Sequence, residues 1–309
     1  MTESYETKNI YIFNTILNYK LIGIGEFSHG IQQSWEFRFS LLKHAIKHTT
    51  KQITIFNEMD VWQGKNIMND TIWSREQNKL VKHTGIKKEI PLDSDKNTQN
   101  PWGIYWQYIH HAMESKIFIK IVKYIRKHRD RIIIIGIDNG KIDRDYDMYK
   151  NIMKNYNSKN INFLWAHNDH IADLPYSLDN MSYIKNKNHK WFCGHYLKKK
   201  FKDDYCIILS QAHKGINRFN GYCKGENCEL RTSKLNYFYS KFTYKENKKY
   251  VNKSKNYQML TNYDTPFIHF SNSYYKNNKY GVQEYVNIKT YNYVLFWNVV
   301  SSLEPVSKY

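Results

Sequence analysis

The sequence predicts an α/β fold with a mainly parallel sheet flanked by helices, and three observations predict it. Between Lys20 and His170, apolar runs of strand length alternate with stretches of helical period four times over. One of them, Arg131 to Ile137 (RIIIIGI), is nearly continuous isoleucine, the pattern of a parallel strand covered on both faces. Each run is followed at once by an acid or a histidine, where parallel sheets place their ligands.

Lys20 to Gly25 (KLIGIG) reads as the first strand, and Ile31 to Lys47 as the helix after it, with Ile31, Trp35, Leu41, Leu42, Ala45 and Ile46 near helical spacing. Gln52 to Asn57 is the second strand. The polar stretch from Gln63 to Asn100 reads as an excursion from the core. A long helix is expected within Ile104 to Asp130, because Ile117, Ile121, Val122 and Ile125 form an amphipathic stripe and its end is basic. Arg131 to Ile137 (RIIIIGI) reads as a strand buried on both faces, Asp143 to Tyr156 as a short helix, and Asn162 to Ala166 as the fourth strand. Beyond His170, Asp204 to Leu209 and Tyr291 to Trp297 read as strands and Trp191 to Lys199 as a helix. Gly215 to Asn287 carries no assignable pattern. With no repeat and no clear linker, residues 1–309 are expected to form one domain.

Composition narrows the function. The chain is 41% hydrophobic and 24% charged, too apolar for disorder. Its longest apolar runs are about a third of the ~20 residues that cross a bilayer, so no membrane span is expected. The start, MTESYETKNIYIFN, lacks the basic and apolar regions of a leader, so the expected compartment is the cytoplasm. The net charge is +19, but 39 of the 47 basic residues are lysine and only 8 arginine, alongside 33 asparagines. Nucleic-acid sites favour the arginine fork, so the surplus reads as coding bias and no specific nucleic-acid partner is expected. Cys193, Cys206, Cys223 and Cys228 have neither the number of a disulfide framework nor the tight pairs of a zinc knuckle.

The residues after the strands carry the chemistry. They are Glu26-Phe27-Ser28-His29-Gly30, Glu58-Met59-Asp60, Asp138-Asn139-Gly140 and His167-Asn168-Asp169-His170. One such acid alone is a helix cap and one such histidine a core residue, but capping does not require several of both on one rim. Histidine supplies a base that titrates near neutrality, and a carboxylate beside it fixes its tautomer, which points to hydrolysis. No G-x-S-x-G elbow or phosphate loop occurs, and Gly23-Ile24-Gly25 runs into Glu26, whose charge would repel a dinucleotide pyrophosphate.

At these positions the chain resembles the erythromycin esterase family. The likeness rests on Ile22-Gly23-Ile24-Gly25-Glu26-Phe27-Ser28-His29-Gly30, similar to the family's G-E-x-x-H-G element, with Glu36 and Arg38 following. Asn57-Glu58-Met59, Gly136-Ile137-Asp138, Trp165-Ala166-His167-Asn168-Asp169-His170 and Gly194-His195-Tyr196-Leu197 extend it over roughly residues 20–210. The resemblance implies an α/β core beside a cleft and hydrolysis of a small-molecule ester or lactone without cofactor or metal. His29 would take the general-base role, with Glu26, Arg38, Glu58, His167 and His170 supporting it. Glu58 or Glu26 would orient His29, while Arg38 and a histidine would stabilise the oxyanion. The chain is shorter than antibiotic-inactivating members, which implies a reduced helical lobe and leaves a macrolide as one candidate substrate. Trp102, Tyr105, Trp106 and Tyr108 either line the cleft or, as their spacing favours, pack a helix on the sheet.

Two alternatives use the same residues. A metal-dependent hydrolase would take His29, His167, His170 and the glutamates as ligands. A catalytically idle protein would instead bind an anionic partner through its lysines.

Overall fold

A computed structural model describes residues 5–68, 71–74, 79–82, 115–139, 143–175, 190–220, 230–232, 237–243, 245–261, 269–271, 282–284 and 291–304. In chain order the elements are α1 (Tyr5–Ile16), β1 (Leu21–Glu26), α2 (Gln32–His48), β2 (Ile53–Asp60), α3 (Val61–Met68), β3 (Thr71–Ser74), β4 (Lys79–Lys82) and α4 (Lys116–Lys127). They continue with β5 (Ile132–Asp138), α5 (Arg144–Asn155), β6 (Ile161–His167), α6 (Asn168–Ile171), α7 (Cys193–Phe201) and β7 (Tyr205–Asn220). The remainder are β8 (Leu230–Thr232), β9 (Tyr237–Thr243), β10 (Tyr257–Thr261), β11 (His269–Ser271), β12 (Val282–Glu284) and β13 (Tyr293–Val300).

The main sheet has the order β10-β13-β7-β1-β6-β2-β5, parallel along this path except where β10 runs against β13, and β9, flanked by β8, adds antiparallel to the far half of β7. Strand side chains alternate between two faces, and each face is covered by helices. On one face Ile22, Ile24, Ile53, Ile55, Phe163 and Trp165 join Phe13 and Ile16 of α1, Leu41 and Leu42 of α2, and Ile121 and Ile125 of α4. On the other, Leu21, Phe56, Leu164 and Ala166 join Met148 and Ile152 of α5 and Leu197 and Phe201 of α7. The stripe expected on α4 is the one it buries, and Ser115 caps that helix by accepting from Phe118 N at 3.2 Å.

The structure corrects the sequence reading in four places. β5 is not buried on both faces: it is the sheet edge, so helix cover stops short of Ile133, which is 40% exposed. α1 and α3 were not anticipated, the latter because Val61 continues from β2 with no turn signal between them. β7 extends eleven residues past Leu209, since its far half pairs with β9 through backbone bonds that need no apolar run. β10, within the stretch that showed no pattern, closes one edge of the sheet. The excursion is described only at α3, β3 and β4; the aromatic residues 102–108, Cys223 and Cys228 lie outside the described residues.

His29 stands in the loop after β1, but three of its companions belong to the strands themselves. Glu26 and His167 end β1 and β6 and are register partners, while Glu58 lies inside β2 at a register shift between Asn57 and Asp60. A bulge of this kind re-aims side chains at the end of a strand. Opposite it stands Gly136, where a Cβ would collide with the carbonyl oxygens of Asp60 and Met59, so only glycine admits the bulged backbone. Gly136→Ala is expected to lower stability by about 3 kcal/mol, the upper range of overpacking costs. It would be read as a lower urea midpoint at unchanged slope; an unchanged midpoint would contradict this role for the bulge.

Candidate functional site

The central strands β1, β6 and β2 bring the charged residues together at their carboxyl ends. Glu26 there lies beneath His29: the imidazole Nδ1 is 2.6 Å from Glu26 Oε1. A carboxylate only accepts, so Nδ1 carries the proton and the basic lone pair is on Nε2. The His29 side chain is 21% exposed, whereas Glu26 is buried.

Arg38 holds Glu26 from below. Its Nη1 donates to Glu26 Oε2 at 3.2 Å, and its Nη2 donates to the carbonyls of Ile24 (2.9 Å) and Ala166 (2.8 Å). The residue is 1% exposed. Burial pulls this guanidinium below its ordinary pKa, against the opposing pull of Glu26 and Glu58. The expectation that Arg38 faces an oxyanion is therefore corrected, because its guanidinium is sealed within the sheet end and bonded to β1 and β6.

The loop carrying His29 is anchored to β7. Phe27 N donates to Ser210 Oγ at 3.0 Å, and Asn217 Nδ2 donates to Ser28 Oγ. Asn168 reaches over β1 to the Ser210 backbone, donating from Nδ2 to its carbonyl at 2.8 Å and accepting from its N–H at 3.1 Å. This crossing leaves no room for a side chain at Gly25, whose Cβ would meet Asn168 Oδ1.

Glu58 organises the other histidines. Its Oε2 accepts from His167 N at 2.7 Å, and its Oε1 accepts from Arg144 Nη2 at 2.7 Å with His170 Nε2 at 3.1 Å. It is these partners, not His29, that Glu58 orients; Glu26 does that work. Burial alone would raise the Glu58 pKa, but His170 and Arg144 hold it well below the carboxylate range. Arg144 also donates to Asp138 Oδ2 from Nε (2.9 Å), and Asp145 faces His170 Nδ1 at 2.6 Å.

The three histidines consequently differ. Burial would lower His170, but Asp145 and Glu58 outweigh it, and Arg144 Nη1 at 2.8 Å from Nε2, and the net pKa is about 10. His170 is an imidazolium at neutral pH. His167 donates from Nε2 to the Phe27 carbonyl at 3.1 Å and turns Nδ1 to Asp169 at 3.2 Å. Burial opposes its protonation and Asp169 more than compensates, so its pKa is raised. Its ring centroid lies 5.3 Å from that of His29.

Arg144 and Asp145 belong to this network and were not among the expected site residues, while Asp169 joins it from the His167–His170 segment. A usable signal existed for Arg144: in a chain whose basic residues are overwhelmingly lysine, a retained arginine just past a strand end marks a need for the planar fork. Among the described residues no three His, Cys, Asp or Glu side chains converge as metal ligands, and the two described cysteines, Cys193 and Cys206, are buried free thiols. No described helix is long and apolar enough to cross a membrane.

The network makes stability depend on pH with a definite sign. His170 rises from 6.5 to about 10 on folding, so its contribution is complete below pH 6.5 and is lost as pH climbs toward 10. Glu58, held low, contributes above its ordinary 4.5 and loses that contribution as pH falls below it. We expect the unfolding free energy to fall by up to ~1.4 kcal/mol per pH unit on the alkaline side. In His170→Gln that limb should disappear from denaturant titrations; its persistence would place the titrating group elsewhere.

No protein-family profile and no curated protein matches the chain. Solved structures do match it in shape along nearly its whole length. A protein from Bacillus cereus superposes with a TM-score of 0.66 at 10% identity, covering 99% of this chain and 94% of its own. A succinoglycan biosynthesis protein gives 0.62 at 11%, covering 98% and 93%. A mutant of the erythromycin esterase EreC in its open conformation gives 0.56 at 11%, covering 97% and 95%. The chain thus has the α/β fold of these three proteins, one of which is an erythromycin esterase.

Proposed function

We propose that the protein hydrolyses a carboxylic ester or lactone with His29 as the general base. The observation that carries this reading is the Glu26–His29 pair: a partly exposed imidazole whose Nδ1 is fixed by a buried carboxylate at 2.6 Å, leaving Nε2 as the basic atom. The fold shared with an erythromycin esterase supports the reaction class.

In this mechanism His29 Nε2 removes a proton from water as the water oxygen bonds to the ester carbonyl carbon. The carbonyl π electrons move to oxygen, giving a tetrahedral oxyanion. Collapse re-forms the carbonyl and breaks the bond to the alkoxide, which takes the proton back from His29. Glu26 stabilises the imidazolium in between, and Arg38 keeps Glu26 aligned. His167, its ring beside that of His29 and its Nε2 on the Phe27 carbonyl, shapes the loop in which the oxyanion would form. Glu58 and His170 hold His167 and the rim in place. No covalent nucleophile is required.

The test is turnover of macrolide lactones and aryl esters by the wild type and His29→Ala, with and without EDTA, circular dichroism confirming the fold. The expected outcome is a loss of at least about 10³-fold in kcat/KM on substitution, in the range of general-base contributions, and indifference to the chelator. A folded His29→Ala protein that keeps its activity removes the base, and chelator-sensitive turnover moves the same rim to metal-dependent hydrolysis.

A further inference from the structure

A second histidine–carboxylate pair stands on this rim, outside the network described above. His195, in the first turn of α7, has Nδ1 2.6 Å from Asp173 Oδ1, and both side chains are partly exposed, at 27% and 22%. Its ring stacks on the Trp191 indole, with centroids 4.0 Å apart and planes 17° from parallel. Trp191 is fixed in turn by a bridge to Pro175, and Phe192 N donates to the Leu174 carbonyl at 3.0 Å. Tyr196 continues the surface, 5.7 Å from His195, and touches Tyr146 and Tyr149 of α5 at 5.1 and 5.6 Å. All of these rings are half-buried.

The cluster is joined to the histidine site. Asp145 accepts from Cys193 N at 2.9 Å as well as facing His170, and the Phe192 ring lies 5.8 Å from that of His170. Rings therefore run along the rim from His29 through His167 and His170 to Phe192, with His195 one helical turn further on.

We propose that Asp173, Trp191, His195 and the three tyrosines form a binding subsite for an uncharged, polyhydroxylated ring, the chemistry of a glycosyl group. With Nδ1 bound to Asp173, the atom left to meet a ligand is Nε2, which nothing bonds among the described residues. Flat aromatic faces take the C–H face of such a ring, and a few fixed polar atoms beside them bond its hydroxyls. The surrounding charge selects a neutral ligand. Lys150 Nζ already lies over the Tyr146 ring at 5.1 Å, and Lys190 and Lys199 are exposed nearby, so a cation is disfavoured; the Asp173 carboxylate disfavours an anion.

Binding is measured without turnover, so the outcome is independent of the ester reading. The wild-type protein would be titrated with methyl glycosides and neutral disaccharides, with choline and glucuronate as charged controls, followed by calorimetry and tryptophan fluorescence. Saturable binding of at least one neutral sugar is expected, weakened tenfold or more in His195→Ala and in Asp173→Asn, which keeps side-chain size but releases the ring. Absence of saturable binding, equal affinity in both folded variants, or preference for either charged control would overturn the proposal.

Discussion

The burial of Glu58 is the constraint on which the rest of the site depends. A carboxylate removed from water at the end of a central strand is tolerated only when every lone pair finds a donor. Here the donors come from three directions: the backbone of β6 through His167, the α5 entrance through Arg144, and the α6 turn through His170. Satisfying one group therefore fixes the mutual position of three elements. The bulge in β2 is what aims Glu58 into that gathering, and Gly136 on the edge strand is what admits the bulge.

From this follows a division of roles among histidines that look alike in sequence. His170 is enclosed by Asp145 and Glu58 and serves as a fixed cation. His167 has both ring nitrogens directed at oxygen atoms, one of them a backbone carbonyl of the His29 loop. His29 pairs with Glu26 and has the most exposed ring of the three. The interior thus holds the charges that must not move, and the rim carries the group free to exchange a proton. The arginines repeat that logic: Arg38 and Arg144 each bridge a carboxylate to other strand-end groups, which a lysine's point charge could not do with comparable geometry.

Much of the fold was legible because its signals are local. Short apolar runs marked β1, β2, β5 and β6, and the stripe on α4 marked the face it buries. What was not legible depends on partners distant in the chain. The far half of β7 is a strand because β9 lies beside it, and β10 because β13 does; neither carries an apolar pattern of its own. The same holds in the site. Glu26 and His29 are three residues apart, so their pairing could be read from the sequence, whereas Arg144 reaches Glu58 across 86 positions. The role expected of Arg38 failed for a related reason: motif spacing gives no depth, and Arg38 lies beneath Glu26 rather than beside the cleft.

The proposed hydrolysis requires that Glu26 fix His29 in the tautomer protonated at Nδ1, with Nε2 as the base. The most direct measurement is the imidazole ¹⁵N spectrum of His29, assigned by comparison with His29→Ala and recorded where the ring is neutral. The account expects an Nδ1–H signal with an unprotonated Nε2, and loss of that preference in Glu26→Gln. A neutral His29 protonated at Nε2 in the wild type would contradict it.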